Sequence, residues 1–252
     1  DANGQVTITP AMINNGSSDI CGIDTMMVNP SSFTCAGIGT NTVTLTVIDV
    51  NGNISTCTST VTVQDNVPPV ALCQNISIDL DATGNASIVA SQIDNGSSDA
   101  CGIATITVSP NTFTCANMGA NTVTLTVTDL NGNVSTCTAT VTVNDNTNPD
   151  AICQNITVGL DANGQVTIVA AQVDNGSNDA CGIDTMTIST SSFDCSNIGE
   201  NLVTLTVTDV NGNSDNCLST VTVVDEIAPT ITGCPSDITV QPDSSNCNPV
   251  VT

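Results

Sequence analysis

Val43, Leu45 and Val47 alternate with Thr42, Thr44 and Thr46, and the same run returns at Val123, Leu125, Val127 and at Val203, Leu205, Val207. Apolar residues at every second position, with Thr between them, mark a strand with one buried and one wet face. A second alternating run follows each: Val61 and Val63, Val141 and Val143, Val221 and Val223. Between the two runs lies Asp49-Val50-Asn51-Gly52-Asn53, with copies at Asp129 and Asp209. Asn-Gly between alternating runs predicts a hairpin. Weaker strand signals cover 74–80 and 154–160, 86–90 and 166–170, and 103–108 and 183–188. No segment carries a helical period.

All these runs recur every 80 residues, as do Cys21, Cys101 and Cys181, then Cys35, Cys115 and Cys195, then Cys57, Cys137 and Cys217. A fixed period of this kind means a tandem array of like units. About seven short strands per unit, with turn signals between them, predict Ig-like antiparallel β-sandwiches in an all-β chain. Pro-containing boundaries at Asp65–Pro69, Asp145–Pro149 and Asp225–Pro229 divide the chain. Residues 1–65 form a repeat lacking its first strand, 66–145 and 146–225 are complete repeats, and 226–252 hold the first strand or strands of a further one. The linkers are short and stiff, which predicts a rod. Each core is small, with one Phe per copy (Phe33, Phe113, Phe193) and no Trp or Tyr.

Composition narrows the chemistry. The chain has no Lys, Arg or His against 24 acidic residues, a net charge of −24. Carboxylates must therefore be met by water, backbone N–H groups, hydroxyls, amides or a bound cation. The lack of His removes imidazole bases and Ser-His or Cys-His pairs. The lack of Lys removes Schiff-base chemistry, and the lack of both basic residues disfavours nucleic acid. No carboxylate pair stands out from copies present in every repeat, so the expectation is no enzyme. No apolar run is long enough to span a membrane as a helix.

Thirteen cysteines point to an oxidising, extracellular compartment. Zinc would want Cys-x-x-Cys pairs or His, and neither occurs. The period suggests disulfides Cys21–Cys35, Cys101–Cys115 and Cys181–Cys195 within loops, and Cys73–Cys137 and Cys153–Cys217 between the first and last strands. Cys57, Cys234 and Cys247 are then left over, and Cys57 and Cys234 would find partners outside this stretch of chain or in another subunit. A slice of a longer array and donor-strand polymerisation both remain open.

The pattern Asp129-Leu130-Asn131-Gly132-Asn133, then Cys137-Thr138-Ala139-Thr140-Val141-Thr142-Val143, then Asp145, Pro149 and Cys153 resembles the hyaline-repeat (HYR) and PKD-like immunoglobulin-fold modules of secreted bacterial surface proteins. The resemblance spans essentially the whole chain. It implies a cell-surface or matrix role in adhesion, stalks or fibres, with repeats continuing end to end.

The Asp-x-Asn-Gly-Asn loops carry oxygens at alternate positions, as at the start of a calcium loop, though the downstream Glu is absent. The candidate Ca²⁺ ligands are Asp49, Asn51, Asn53 and Asp65; Asp129, Asn131, Asn133 and Asp145; and Asp209, Asn211, Asn213 and Asp225. A plain Asn-Gly turn accounts for the same residues. Asp94 and Asp99 offer another pair in an Asn/Ser/Gly-rich loop. Sequons at Asn15, Asn95 and Asn175 recur in that loop and are the glycosylation candidates. The functional expectation is an extracellular structural repeat protein forming a filament, stalk or matrix. The alternative is an adhesin that binds glycans.

Overall fold

The computed structural model describes residues 1–234 and 236–239. The strand signals above map onto six strands per complete repeat. The first repeat holds β1 (Gln5–Thr7), β2 (Ile23–Asn29), β3 (Ser32–Thr34), β4 (Gly39–Asp49) and β5 (Ile54–Val63). The second holds β6 (Ile76–Asp79), β7 (Asn85–Ser87), β8 (Ile103–Ser109), β9 (Thr112–Thr114), β10 (Gly119–Asp129) and β11 (Val134–Asn144). The third holds β12 (Ile156–Gly159), β13 (Gln165–Thr167), β14 (Ile183–Ile188), β15 (Ser192–Asp194), β16 (Gly199–Asp209) and β17 (Ser214–Val224). The chain forms two compact units, divided between Thr147 and Asn148.

Within the first unit, the second repeat pairs a four-stranded sheet, ordered β6-β11-β10-β8, with the two-stranded sheet β7-β9. β10 and β11 run antiparallel over their whole length, from Gly119 opposite Val143 to Thr128 opposite Val134. β6 adds to β11 in parallel, Ile76 opposite Val141, so one sheet edge departs from the antiparallel expectation. The first repeat has only a three-stranded main sheet, β2-β4-β5, beside the β1-β3 pair. The second unit repeats the complete plan with β12-β17-β16-β14 and β13-β15.

The alternation read from sequence becomes the core. Val123, Leu125, Val127, Val141 and Val143 are all buried, and so are Val203, Leu205, Val207, Val221 and Val223. Phe113 and Phe193 project into this layer from the short strands β9 and β15. A further feature departs from the sequence reading: each repeat carries a four-residue helical turn, α1 (Pro10–Ile13), α2 (Ala90–Ile93) and α3 (Ala170–Val173), besides a three-residue 3-10 turn at Cys35–Gly37, Cys115–Asn117 and Cys195–Asn197. Four residues are too few to show a 3.6-residue period. Each turn drops one side chain inward, and Ile93 and Val173 are fully buried. Among the described residues no helix is long and apolar enough to cross a membrane.

Candidate functional site

The hairpin loops are built around their aspartates. Asp129 Oδ1 accepts the N–H groups of Asn131 and Asn133, each at 2.8 Å, and Oδ2 accepts the Asn133 side-chain amide at 2.7 Å. Asp49 and Asp209 make the same three bonds. Gly52, Gly132 and Gly212 have φ between +86° and +93°, the left-handed conformation that admits Gly cheaply. The loops thus bring Asp129 to Asn133, but as acceptor and donor within one turn. Asn51, Asn131 and Asn211 stay on the exposed side.

These bonds hold the carboxyl groups below the ordinary carboxylate range. At Asp49 the Asn53 side-chain amide is the leading cause. At Asp129 and Asp209 burial pushes upward and is outweighed by the N–H groups of the loop. Asp81, Asp94, Asp161, Asp174 and Asp194 are lowered in the same direction, each in a turn of its own. A carboxylate with a depressed folded-state value adds stability above its unfolded value, about pH 4, and loses it as pH falls through the folded value. Protonation also relieves the repulsion of the −24 net charge, which acts the other way but is screened beyond about 8 Å at 0.15 M salt. The local bonds should win. Urea midpoints at that salt concentration should be flat from about pH 5 to 8, where no His or Lys titrates, and should fall below about pH 4. A midpoint that rises on acidification would show that charge repulsion dominates.

The boundary aspartates behave differently. Asp65 Oδ1 accepts the Val67 N–H at 3.0 Å, while Oδ2 is buried without a hydrogen-bond partner. The Asp65 and Asp99 carboxylates and Cys101 Sγ lie within 4.8 Å of one another. Asp99 also accepts the Cys101 and Gly102 N–H groups at 2.7 and 3.1 Å. Asp94 is engaged by the Ser97 N–H at 3.0 Å. The acid drawn to the boundary is therefore Asp99, which the loop reading had set beside Asp94. Asp145 is buried and accepts the Thr147 N–H, and Asp225 is exposed and accepts the Ile227 N–H.

The cysteines correct the loop pairings. Cys35 is bonded to Cys101 of the following repeat, with Cα atoms 5.2 Å apart. The predicted Cys21–Cys35 and Cys101–Cys115 bonds are thereby excluded. Cys195 is free, so Cys181–Cys195 is not formed either. Cys115 and Cys181 are nonetheless disulfide-bonded. The physical reason lies in placement: Cys35 and Cys195 follow β3 and β15 beside the loops of Gly4 and Gly164, and the Cys101 loop reaches Cys35 from the next repeat. Cys73–Cys137 and Cys153–Cys217 tie the segments before β6 and β12 to β11 and β17. Cys21, Cys57, Cys195 and Cys234 are free and exposed, and Cys247 lies outside the described residues.

Hydrogen bonds reinforce the joint in the first unit. The Asn133 side-chain amide donates to the carbonyls of Asp65 and Val67 at 3.1 and 3.4 Å. The hairpin of one repeat thus grips the linker leading into it. Asn15, Asn95 and Asn175 are all exposed.

No family model matches the chain, and no curated protein matches it. Solved structures do. Extracellular cadherin domains 1–4 of Protocadherin Gamma B7 align with a TM-score of 0.34 and 14% identity, over 76% of this chain and 59% of that one. Three immunoglobulin domains of titin align with a TM-score of 0.35 and 10% identity, over 87% of each chain. Immunoglobulin domains 1–4 of Sidekick-1 give 0.34 and 9%, over 76% and 60%. This chain thus spans less than two thirds of the Protocadherin Gamma B7 and Sidekick-1 chains. At these scores the fold rests on the strand pairing described above.

Proposed function

We propose that this chain is an extracellular structural repeat protein, a stretch of filament, stalk or matrix fibre without catalysis, joined end to end with further repeats of its kind. The Cys35–Cys101 disulfide carries this reading. A cross-link from one repeat to the next does little for a module that works alone, and much for an array that must keep its joints under tension. The disulfides favour an oxidising compartment, and the resemblance to hyaline-repeat modules favours a bacterial cell surface. The three Phe side chains are buried and the sequence has no Tyr or Trp. The described surface therefore lacks the aromatic platform that a glycan-binding adhesin would use.

The reading is tested on the joint. Small-angle scattering of the intact chain should give one narrow distribution of dimensions. The Cys35→Ala/Cys101→Ala variant should give a broader one with the same strand content. Equal distributions would mean that the cross-link does not set the joint, and saturable binding on a glycan array would favour the adhesin.

A divalent cation, most simply Ca²⁺, is proposed to sit between Asp65 and Asp99. Oxygen ligands favour such a hard ion, and the unpartnered Asp65 Oδ2 supports the placement. The hairpin aspartates already spend their oxygens on their own turns. At a concentration 100-fold above its Kd, Ca²⁺ should stabilise the folded chain by about 2.7 kcal/mol. The gain should shrink in Asp65→Asn. No gain in the unaltered chain would remove the ion from the proposal. Asn15, Asn95 and Asn175 are proposed as glycan carriers, which intact mass of native material checks.

A further inference from the structure

The chain enters and leaves the third repeat side by side and in the same direction. β12, just inside the entry, lies parallel to β17, the strand by which the chain leaves, with Ile156 opposite Val221 and Gly159 opposite Val224. The shared course begins before that pairing. Asp215 Oδ2 accepts the Ala151 N–H at 3.4 Å, Ser219 Oγ donates to the Gln154 carbonyl at 2.7 Å, and Asn155 Oδ1 accepts the Thr220 N–H at 2.8 Å. Within this stretch Cys153 is bonded to Cys217, with Cα atoms 5.7 Å apart. A line drawn down the entry to Cys153, across the disulfide and on along β17 keeps one direction throughout.

Everything else in the repeat hangs from that crossing. The two cysteines are 64 residues apart in sequence, and the chain between them holds β12 to β16 and the start of β17. It therefore carries most of the core, including Phe193, Val203, Leu205 and Val207, while Val221 and Val223 lie on the exit. The second repeat has the same plan. Cys73–Cys137 also spans 64 residues, Ile76 lies opposite Val141 in a parallel pair, and Asn75 Oδ1 accepts the Thr140 N–H at 2.8 Å.

This layout decides where a pull along the chain would act. A β-strand rises about 3.3 Å per residue, close to the roughly 3.6 Å limit of a fully stretched chain. β17 thus has almost no slack, and tension applied at its end reaches Cys217 before the strand can lengthen. The hydrogen bonds beside the disulfide join the same two segments. Links in parallel share a load by stiffness, and a covalent bond is far stiffer than a hydrogen bond.

We propose that Cys73–Cys137 and Cys153–Cys217 are the load-bearing links of their repeats. Tension passes from the entry through the disulfide into the last strand, and the strands and loops between the paired cysteines stay off that line. This rests on the structural reading above and deepens it. Such a fibre keeps its length under load. Its loops, Asp99 and the 94–102 segment among them, keep their shape while the fibre is pulled.

The test is a force clamp across the third repeat of the intact chain. Asn148 and Glu226, both exposed, are each replaced by an alkyne-bearing residue and coupled to DNA handles. Dithiothreitol is then added. One of its thiolates attacks a sulfur of the half-buried Cys153–Cys217 bond and the other cysteine leaves as a thiolate. The second thiol of the reagent closes a ring and frees the first cysteine, so the reagent loses two electrons and two protons and the protein gains both. Without the reagent, no long step is expected at any clamp force. With it, one step of about 200 Å is expected, the extended reach of the 64 residues released. The rate of that step should rise with force from the lowest forces upward. A rate that stays flat until the sheet gives way would place the load on the hydrogen bonds and overturn the proposal. A step of that length without the reagent would overturn it too. Either failure beside a narrow scattering distribution for the intact chain would sink the load path and leave the structural reading standing. Failure of both would sink that reading as well.

Discussion

Replacing Cys73 and Cys137 together with alanine is expected to destabilise the second repeat by about 4 kcal/mol, the chain-entropy value for a loop of this size. The bond spans 64 residues, most of the repeat, so its absence frees a large unfolded ensemble. A unit of this size has a total stability on the order of 4–12 kcal/mol, and the loss is a large part of it. The site adds a second effect. Cys73 lies just before β6, the strand that covers the edge of β11 in parallel, and Asn75 Oδ1 accepts the Thr140 N–H at 2.8 Å there. Hydrogen exchange read by mass spectrometry should show β10 and β11 losing protection before β16 and β17 do. Unchanged protection in β10 and β11 would mean that packing alone holds the sheet.

Phe113→Ala should cost about 4 kcal/mol. Phe113 is 2% exposed and sits opposite Ala86 in the two-stranded sheet, facing a core made otherwise of Val, Leu, Ile and Ala. No neighbouring aromatic side chain can swing into the space, so the cavity should persist. Phe113→Leu keeps most of the volume and should cost less than about 1.5 kcal/mol. Guanidinium denaturation of the two variants separates the cases. Similar losses would mean that ring shape, rather than volume, is what the core requires.

The main strands were legible because alternation survives in sequence whenever one face is buried and the other wet. β10 and β16 carry it with hardly a break, and their Asn-Gly turns are equally plain. β9 and β15 escaped notice because three residues around one Phe give no period. The parallel edge strand was visible as a strand but not in its direction, which tertiary pairing decides. The disulfide exchange between repeats was hidden for a different reason. Cys21, Cys35 and Cys101 all obey the same period, so a short loop from Cys21 to Cys35 and a long reach from Cys35 to Cys101 look alike in sequence. What distinguishes them is the fold, which lays the Cys101 loop against Cys35, with the Ala100 carbonyl oxygen 3.5 Å from its sulfur. Asp99 at the boundary was hidden similarly, since its recurrence marked a fixed turn position without showing which acid it would face.

The two disulfides of the first unit overlap along the chain: Cys73 falls between Cys35 and Cys101, and Cys101 falls between Cys73 and Cys137. One broken peptide bond anywhere from Cys35 to Cys137 is therefore bridged by at least one cross-link. A protease that nicks an exposed loop in this stretch cuts the backbone without severing the strand of material, and trypsin finds no Lys or Arg to begin with. Wear would accumulate as scattered nicks rather than as breaks, until a reductant opened the cross-links.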